Sequence, residues 1–307
     1  MAVLDRAAPQ GSDSEITVTP LRAALGASIR CGNLAKVGAA GREQIRQAFL
    51  DHLVLVFPGQ NLSEDEQVSI TDIFGELGDS LIGTVTDRQK VVKITNVGAN
   101  PLLGNGELFW HSDHSFEERP ILASLLHAME VPPVGGDTYW NNMYLAYETL
   151  PEALRARVRG LTIKNDISIN SAGQRVERVP ETTDVRLSKG PSHPIIRTHP
   201  DTGLNALYLG RRPFAYVNGL SVEESEDLLN TLWAHAANPA FEYRHHWSVG
   251  DLVVWDNRAV MHKRDAFDET QRRVMHRTQT RGDIPAYDPA ADARGFHPRG
   301  TMGEKAL

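Results

Sequence analysis

The chain has 307 residues, of which 41% are hydrophobic and 23% are charged, a globular composition that excludes a wholly disordered or fibrous protein. Lysine and arginine total 32 against 39 acidic residues, and the resulting charge of −7 argues against a nucleic-acid-binding protein. The single cysteine, Cys31, excludes both an intramolecular disulfide and a cysteine-based zinc site.

The longest apolar runs, such as residues 53–57, have the length of a strand and are too short to cross a bilayer. The first residues also lack an apolar core of signal-peptide length. We therefore expect a cytoplasmic protein with no membrane and no nucleic-acid partner, and we expect it to form a homo-oligomer.

The first part of the chain is a mixture of helices and strands. Residues 1–15 are small, polar and acidic, which predicts a flexible tail. Ser63, followed by three acidic residues, is typical of a helix N-cap. Hydrophobic spacing and turn residues predict four elements: a strand at 16–18, a helix at 42–52, a buried strand at 53–57 and a helix from 64 to about 74.

From residue 91 onward, short strand candidates alternate with turn residues, which favours a sandwich or barrel. These candidates are residues 91–97, 121–131, 137–142, 160–166, 194–200, 205–210, 241–247, 251–257 and 274–280. Two helices interrupt them, at 143–159 and at 221–237, the second with a capping-box pattern.

The polar segment 165–192 is long for a connection and is a candidate active-site lid. We expect a single domain over residues 16–285, followed by a C-terminal tail at 286–307.

One short motif carries candidate metal ligands. Residues 110–114 read Trp-His-Ser-Asp-His, and alternation along a strand would put His111 and Asp113 on one face. A further histidine, His262, lies far downstream. Two imidazoles and one carboxylate form the facial triad of non-haem iron(II) oxygenases. The same three ligands would also suit a zinc-dependent hydrolase, which stays open as an alternative.

The surroundings of this motif favour an oxygenase. Thr138 ends the sequence Gly-Gly-Asp-Thr, and the pair Arg272-Arg273 follows His262. A guanidinium buried near a metal needs an anion, and a carboxylate is its best bidentate partner. A 2-oxo acid offers such a carboxylate at one end while its other end chelates the metal.

The chain resembles the taurine dioxygenase/2,4-dichlorophenoxyacetate dioxygenase family of iron(II)- and 2-oxoglutarate-dependent oxygenases over about residues 17–283. The stretches that carry the resemblance are WHSDHSF, VPPVGGDTYWNN, PIIRTHPDTG, GDLVVWDNRAVMH and QRRVMHRTQTRGD. The resemblance implies a mainly β fold with flanking helices, a distorted double-stranded β-helix (jelly roll).

Carried over by position, the resemblance makes His111, Asp113 and His262 the iron ligands. Thr138 and Arg273 correspond to the residues that bind the far carboxylate of 2-oxoglutarate. Arg277 corresponds to the arginine that holds the substrate's sulfonate in taurine-type enzymes.

The implied reaction uses iron(II), 2-oxoglutarate and dioxygen, releases succinate and carbon dioxide, and hydroxylates a small organic substrate. Where the hydroxylated carbon bears a heteroatom, a C–S, C–O or C–N bond then breaks.

The chain departs from the taurine type at several substrate contacts. Glu107 stands where those enzymes carry an asparagine, and their histidine and tyrosine after the FGEL motif are missing. The substrate lysines of the phenoxyacetate type also have no counterpart. Arg277 follows Arg273 at an even spacing, so both should face the interior. We therefore expect an anionic substrate such as a sulfonate, a sulfate ester or an aryloxyalkanoate, unless Arg277 pairs with a protein carboxylate.

Other polar residues near these motifs have simpler interpretations. His114 is expected to pack or to support the ligands, because the triad is already complete. Asp256 and Asn257 are expected to hold the backbone of a turn. Arg211 and Arg212 are either a solvated pair, which is slightly preferred, or residues at the rim of the substrate pocket.

Overall fold

The computed structural model describes residues 15–78, 90–98, 103–177 and 179–296. The strands are β1 Thr17–Pro20, β2 Ala27–Arg30, β3 Val54–Phe57, β4 Val92–Thr95, β5 Leu108–His111, β6 Ala123–Glu130, β7 Thr138–Asn142, β8 Thr162–Lys164, β9 Ser192–Pro194, β10 Ile196–Thr198, β11 Asn205–Leu207, β12 Tyr216–Val217, β13 Glu242–His245, β14 Leu252–Asp256, β15 Val260–Arg264 and β16 Val274–Gln279. The helices are α1 Ala39–His52, α2 Glu64–Thr71, α3 Met143–Glu148, α4 Glu152–Val158 and α5 Val222–Ala236. Within these described segments, no helix has the length and apolarity that a bilayer crossing requires.

Two sheets carry most of the architecture, which is mainly β with flanking helices as predicted. A seven-stranded sheet has the order β1-β2-β3-β14-β6-β16-β4, and a four-stranded sheet has the order β13-β7-β15-β5. All pairs are antiparallel except β2 with β3. Two smaller sheets, β10-β11 and β12-β8-β9, complete the fold. Every strand candidate predicted between residues 91 and 280 contains one of these strands.

The central strands β3, β14 and β6 of the seven-stranded sheet are buried on both faces, which explains the uninterrupted apolar run of β3. Leu55 and Phe57 belong to a core cluster with α1 and α2 on one face. Val54 and Val56 belong to a second cluster that includes residues of the four-stranded sheet. Trp140 of β7 and Trp255 of β14 meet in that second cluster, with ring centroids 5.5 Å apart. The space between the two sheets is therefore the main core.

Capping predicted two helix starts correctly. Ser63 caps α2 and Ser221 caps α5, each in a reciprocal capping box with a glutamate three residues later. The prediction of one helix over 143–159 was wrong, because α3 ends at Glu148 and α4 begins after Pro151. Proline restricts the residue before it and cannot donate an intrahelical hydrogen bond, so the chain turns there and starts a new helix.

Two predicted segments outside the sheets contain local structure. Segment 165–192 includes a 3₁₀ turn at Val185–Leu187. The predicted N-terminal tail lies outside the described residues, apart from its last residue. The described part of the predicted C-terminal tail contacts the domain, since Tyr287 and Phe296 pack against the main core cluster.

Strand β5 contains an irregularity just before the first candidate ligand. His111 pairs with His262, but Leu108 pairs with Arg264, so three positions on β5 match two on β15. Such an extra residue is a β-bulge, and it reverses the alternation of side chains beyond it. Leu108 and His111 are accordingly both buried, whereas Phe109 is 44% exposed.

Candidate metal centre and anion pocket

Three predicted ligands converge between the two sheets. The Nε2 atoms of His111 and His262 lie 3.7 and 3.8 Å from Oδ1 of Asp113, and all three side chains are buried. Their ligand atoms lie within 4.8 Å of one another, and no other such group occurs in the described segments. Strand alternation is not what joins His111 to Asp113, because β5 ends at His111 and Asp113 lies in the following turn.

Asp113 is held by two strands of the seven-stranded sheet and by the turn that follows β14 of that sheet. Ser124 Oγ donates to Oδ2 at 2.7 Å, and Gln279 Nε2 donates to the same oxygen at 3.3 Å. Asn257 Oδ1 accepts the backbone N–H of Asp113 at 3.3 Å. With Oδ2 held in this way, Oδ1 faces the two imidazoles.

The buried surroundings of the candidate ligands favour the protonation states that bind a cation, an ionised Asp113 and a neutral His262. Burial raises the pKa of Asp113, but the charges of His262, Arg277 and His111 outweigh it and hold this pKa well below its usual range. Burial, together with His111, lowers the pKa of His262 to about 3. His111 Nδ1 lies 2.6 Å from the carbonyl of Phe109 and can donate to it, which leaves Nε2 available to a metal.

Thr138 lies on β7 two positions from Trp140, the residue opposite His262, and a tryptophan joins it to the buried Arg273. We call this cluster the anion pocket. Trp247 Nε1 donates to Thr138 Oγ1 at 3.0 Å, and the Arg273 guanidinium lies 6.0 Å from the centre of the Trp247 ring. Arg273 is 3% exposed, and its Nε has no partner. Burial lowers the pKa of Arg273 to about 9. Within the described residues no carboxylate pairs with it, so the pocket is suited to an anion.

A second buried arginine, Arg264, belongs to this cluster and was not predicted from the sequence. Arg264 lies directly opposite Thr138 on β15 and is 4% exposed. Its Nη2 donates to the carbonyls of Leu103 and Gly106, and its Nε has no partner. The charge of Arg264 contributes to the lowered pKa of Arg273. Its position two residues after His262 could have predicted this, because residues at that spacing in a strand face the same side.

Arg277 lies next to the ligands themselves. Its Nη1 is 3.9 Å from Asp113 Oδ1, and its Nε is buried without a partner. Arg273 is buried and Arg277, whose side chain is 12% exposed, points toward Asp113, so both face inward as their even spacing predicted, while Arg272 pairs with Glu130 at the surface. The protein carboxylate within ion-pair distance of Arg277 is therefore the candidate ligand Asp113.

Two adjacent arginines behave differently. The preferred prediction of a solvated pair was wrong for Arg211, which is 7% exposed and lies over the ring of Phe116. Arg212 is partly exposed and pairs with Glu226. His114 stays outside the triad and contacts Glu117 at 2.9 Å.

Two buried histidines and one buried aspartate that converge in this way match the facial triad of non-haem iron(II) oxygenases, and the buried Arg273 lacks a carboxylate partner among the described residues. Residues 17–279 match the family model described as taurine catabolism dioxygenase TauD, TfdA family, and the chain belongs to this family.

The relatives of the chain agree with this assignment. It is 32% identical to the (S)-phenoxypropionate/alpha-ketoglutarate-dioxygenase of Sphingobium herbicidovorans, over 89% of this chain and 97% of the relative. It is 30% identical to the alpha-ketoglutarate-dependent sulfate ester dioxygenase of Pseudomonas putida, over 88% of this chain and 91% of the relative. The solved structure of AAD-2 with Mn(II) and N-oxalylglycine has a TM-score of 0.76 at 30% identity, covering 90% of this chain and 100% of that one.

The chain is therefore a 2-oxoglutarate-dependent dioxygenase, an oxidoreductase that uses iron(II), 2-oxoglutarate and dioxygen. The residues fit these groups, because two imidazole nitrogens and a carboxylate oxygen converge beside a buried arginine that lacks a carboxylate partner. None of the comparisons supports the hydrolase alternative.

Proposed function

We propose that this dioxygenase hydroxylates a small anionic organic substrate that Arg277 binds. The observation that carries the proposal is the buried guanidinium of Arg277, whose nearby counter-charge is a candidate metal ligand. Once the charge of Asp113 is shared with a metal, Arg277 needs a further anion to offset its burial. The products are the hydroxylated substrate, succinate and carbon dioxide.

The proposal assigns each site residue one role. His111, Asp113 and His262 hold iron(II), and Thr138 and Arg273 bind the distal carboxylate of 2-oxoglutarate. When bound, the metal and this co-substrate supply the activation of dioxygen. Arg277 holds the anionic end of the prime substrate so that a neighbouring carbon lies close to the metal.

Residues that touch neither substrate also have defined tasks. Ser124 and Gln279 hold Oδ2 of Asp113, so the carboxylate cannot rotate and offer both oxygens. Arg264 adds positive charge beside Arg273 and fastens the segment before β5 through the carbonyls of Leu103 and Gly106. This cluster selects a co-substrate that carries a carboxylate at its far end.

The names of the relatives narrow the substrate class. One is named for a phenoxypropionate and another for a sulfate ester, and both names describe anions. We extend this class to the chain as sulfonates, sulfate esters and aryloxyalkanoates. Where the hydroxylated carbon is attached to sulfur, oxygen or nitrogen, the bond between that carbon and the heteroatom would then break. Glu107 replaces the asparagine expected of taurine-type enzymes, so taurine itself is not proposed.

We further assign the two main sheets to a distorted double-stranded β-helix (jelly roll) within one domain over residues 16–285. The support is the main core cluster, which contains residues from Leu21 to Met275 and from both sheets. We propose segment 165–192 as the lid of the site. We propose a cytoplasmic location because the single cysteine, Cys31, is a buried free thiol. We also propose that the protein forms a homo-oligomer.

A screen for succinate formation tests the function. The purified protein is mixed with iron(II), ascorbate, 2-oxoglutarate and one candidate from a panel of sulfonates, sulfate esters and aryloxyalkanoates. We expect at least one anion to raise succinate formation well above the rate without substrate, and oxygen removal to stop it. Turnover that continues without oxygen would contradict the proposal.

A further inference from the structure

A row of cross-strand neighbours extends from the metal ligands to an arginine. His262 of β15 pairs with His111 of β5, and His111 is bridged on its other side to Arg211. Directly opposed residues of antiparallel strands have side chains on the same face, with Cβ atoms about 4.5–5.5 Å apart. Arg211 therefore stands beside His111 on the face that carries the ligands.

The charge of Arg211 is not matched by any ion pair. Among the described residues no carboxylate lies within ion-pair distance, although the side chain is almost fully buried. Its Nη2 donates to the main-chain carbonyl of Asp166 at 3.0 Å, and its guanidinium lies 4.7 Å from the centre of the Phe116 ring. Burial lowers the pKa of Arg211 to about 10, since Asp166 and Asp113 offset only part of the desolvation.

A structural role for Arg211 explains only part of this arrangement. The carbonyl of Asp166 needs one donor, and a neutral amide could supply it. The rest of the guanidinium would then be a desolvated charge that Asp166 and Asp113 offset only in part, which is costly. A ligand with an anionic group removes this cost.

Two such arginines approach the metal centre from opposite sheets. Arg277 comes from β16 of the seven-stranded sheet, and Arg211 is bridged to β5 of the four-stranded sheet. A substrate lying between the sheets would meet one cation on each side. We propose that Arg211 is a second anion-binding residue of the substrate site and that the prime substrate is a small dianion, held at one end by Arg277 and at the other by Arg211. This inference rests on the proposed function.

Matched probes that differ by one charge test the inference without turnover. The first pair is phenoxyacetate and 4-carboxyphenoxyacetate, and the second is hexyl sulfate and 6-sulfooxyhexanoate. Each is titrated calorimetrically into the protein loaded with Mn(II) and N-oxalylglycine, so that the co-substrate pocket is filled. We expect the dianion of at least one pair to bind at least about tenfold more tightly than its monoanion.

The neighbouring arginine supplies the control. Arg211→Gln should abolish the preference for the dianion, Arg211→Lys should keep part of it, and Arg212→Gln should leave it unchanged, because Arg212 pairs with Glu226. Thermal unfolding and N-oxalylglycine affinity check that each variant is folded with an intact co-substrate pocket.

The inference is overturned when neither dianion gains at least about tenfold in the wild-type protein, or when the gain survives in Arg211→Gln. If Arg211→Gln does not fold, the inference is tested by the ratio of dianion to monoanion affinity in the wild-type protein and in Arg211→Lys. Failure of the proposed function would give a different result from failure of this inference. In that case N-oxalylglycine binding would not depend on the metal, and no substrate of the panel would yield succinate.

Discussion

Ser124 donates a hydrogen bond to Oδ2 of Asp113 at 2.7 Å, although Ser124 lies on the seven-stranded sheet and Asp113 follows a strand of the four-stranded sheet. The same hydroxyl is within hydrogen-bond distance of Asn257 Nδ2 and Gln279 Nε2. One serine therefore connects the candidate ligand to three chain segments, and the geometry of the metal centre depends on how the two sheets pack.

Ser124→Ala should weaken metal binding without removing a ligand. Oδ2 of Asp113 would lose its shortest hydrogen bond, and loss of such a supporting contact typically costs about 10–100-fold in metal affinity. Calorimetric titration with Mn(II) measures the change. Ser225→Ala is the matched control, because Ser225 is also buried but bonds Val217 beside α5. Equal affinity in both variants would contradict the role of Ser124.

Replacing any one ligand should abolish turnover that is coupled to substrate. His111→Ala, Asp113→Ala and His262→Ala each remove one of three donor atoms that converge within 4.8 Å. Succinate formation and Mn(II) binding are both measured with metal in excess. Full activity in one variant would show that its residue is not a ligand.

Arg273→Met should raise the 2-oxoglutarate requirement far more than the requirement for the prime substrate. Removing one partner of a desolvated charge pair typically costs about 2–5 kcal/mol of binding free energy. Arg272→Met is the control, since its side chain is 60% exposed and pairs with Glu130. Unchanged affinity for N-oxalylglycine in Arg273→Met would move the carboxylate contact to another residue, and Arg264 is a candidate because it lies opposite Thr138.

Arg277→Gln should raise the KM for the best anionic substrate while N-oxalylglycine binding stays intact. The glutamine keeps hydrogen-bond donors but loses the charge that an anion needs. Steady-state kinetics with varied substrate and saturating 2-oxoglutarate measure this. The idea fails if a neutral compound proves to be the best substrate.

Arg258→Met should destabilise the fold through a buried network. The Arg258 side chain makes two hydrogen bonds to Asp256 and one to Asp201, and His199 contacts Asp256 at 3.0 Å with no side-chain exposure. Removing one partner of a buried ion pair typically costs about 3–5 kcal/mol, because the other charge is left uncompensated. Denaturant unfolding of the metal-free protein measures the loss. The exposed variant Arg272→Met should leave the free energy of unfolding unchanged.

Local patterns in the sequence were enough to predict most elements of the fold. The apolar run before Pro58 predicted β3, and the capping box at Ser221 predicted α5, because both depend on neighbouring residues. The break at Pro151 was missed although proline is a known helix breaker.

The candidate ligands were predicted because their residue types and the family resemblance specify them. The residues around them are set by long-range pairing, which no local pattern reports. Ser124 and Gln279 look like ordinary strand residues, and Arg211 is buried where it is bridged to His111 and donates to the carbonyl of Asp166. Asn257 was predicted to hold its own turn, yet it also fixes Asp113.

The bulge in β5 sets the direction of the His111 imidazole. Leu108 and His111 are three positions apart, so regular alternation would put them on opposite faces, and the extra residue brings both to the buried face. Deleting Phe109 would place His111 two positions after Leu108, where a regular strand directs both side chains to the same face. The candidate ligand would then keep its direction while the strand lost its irregularity.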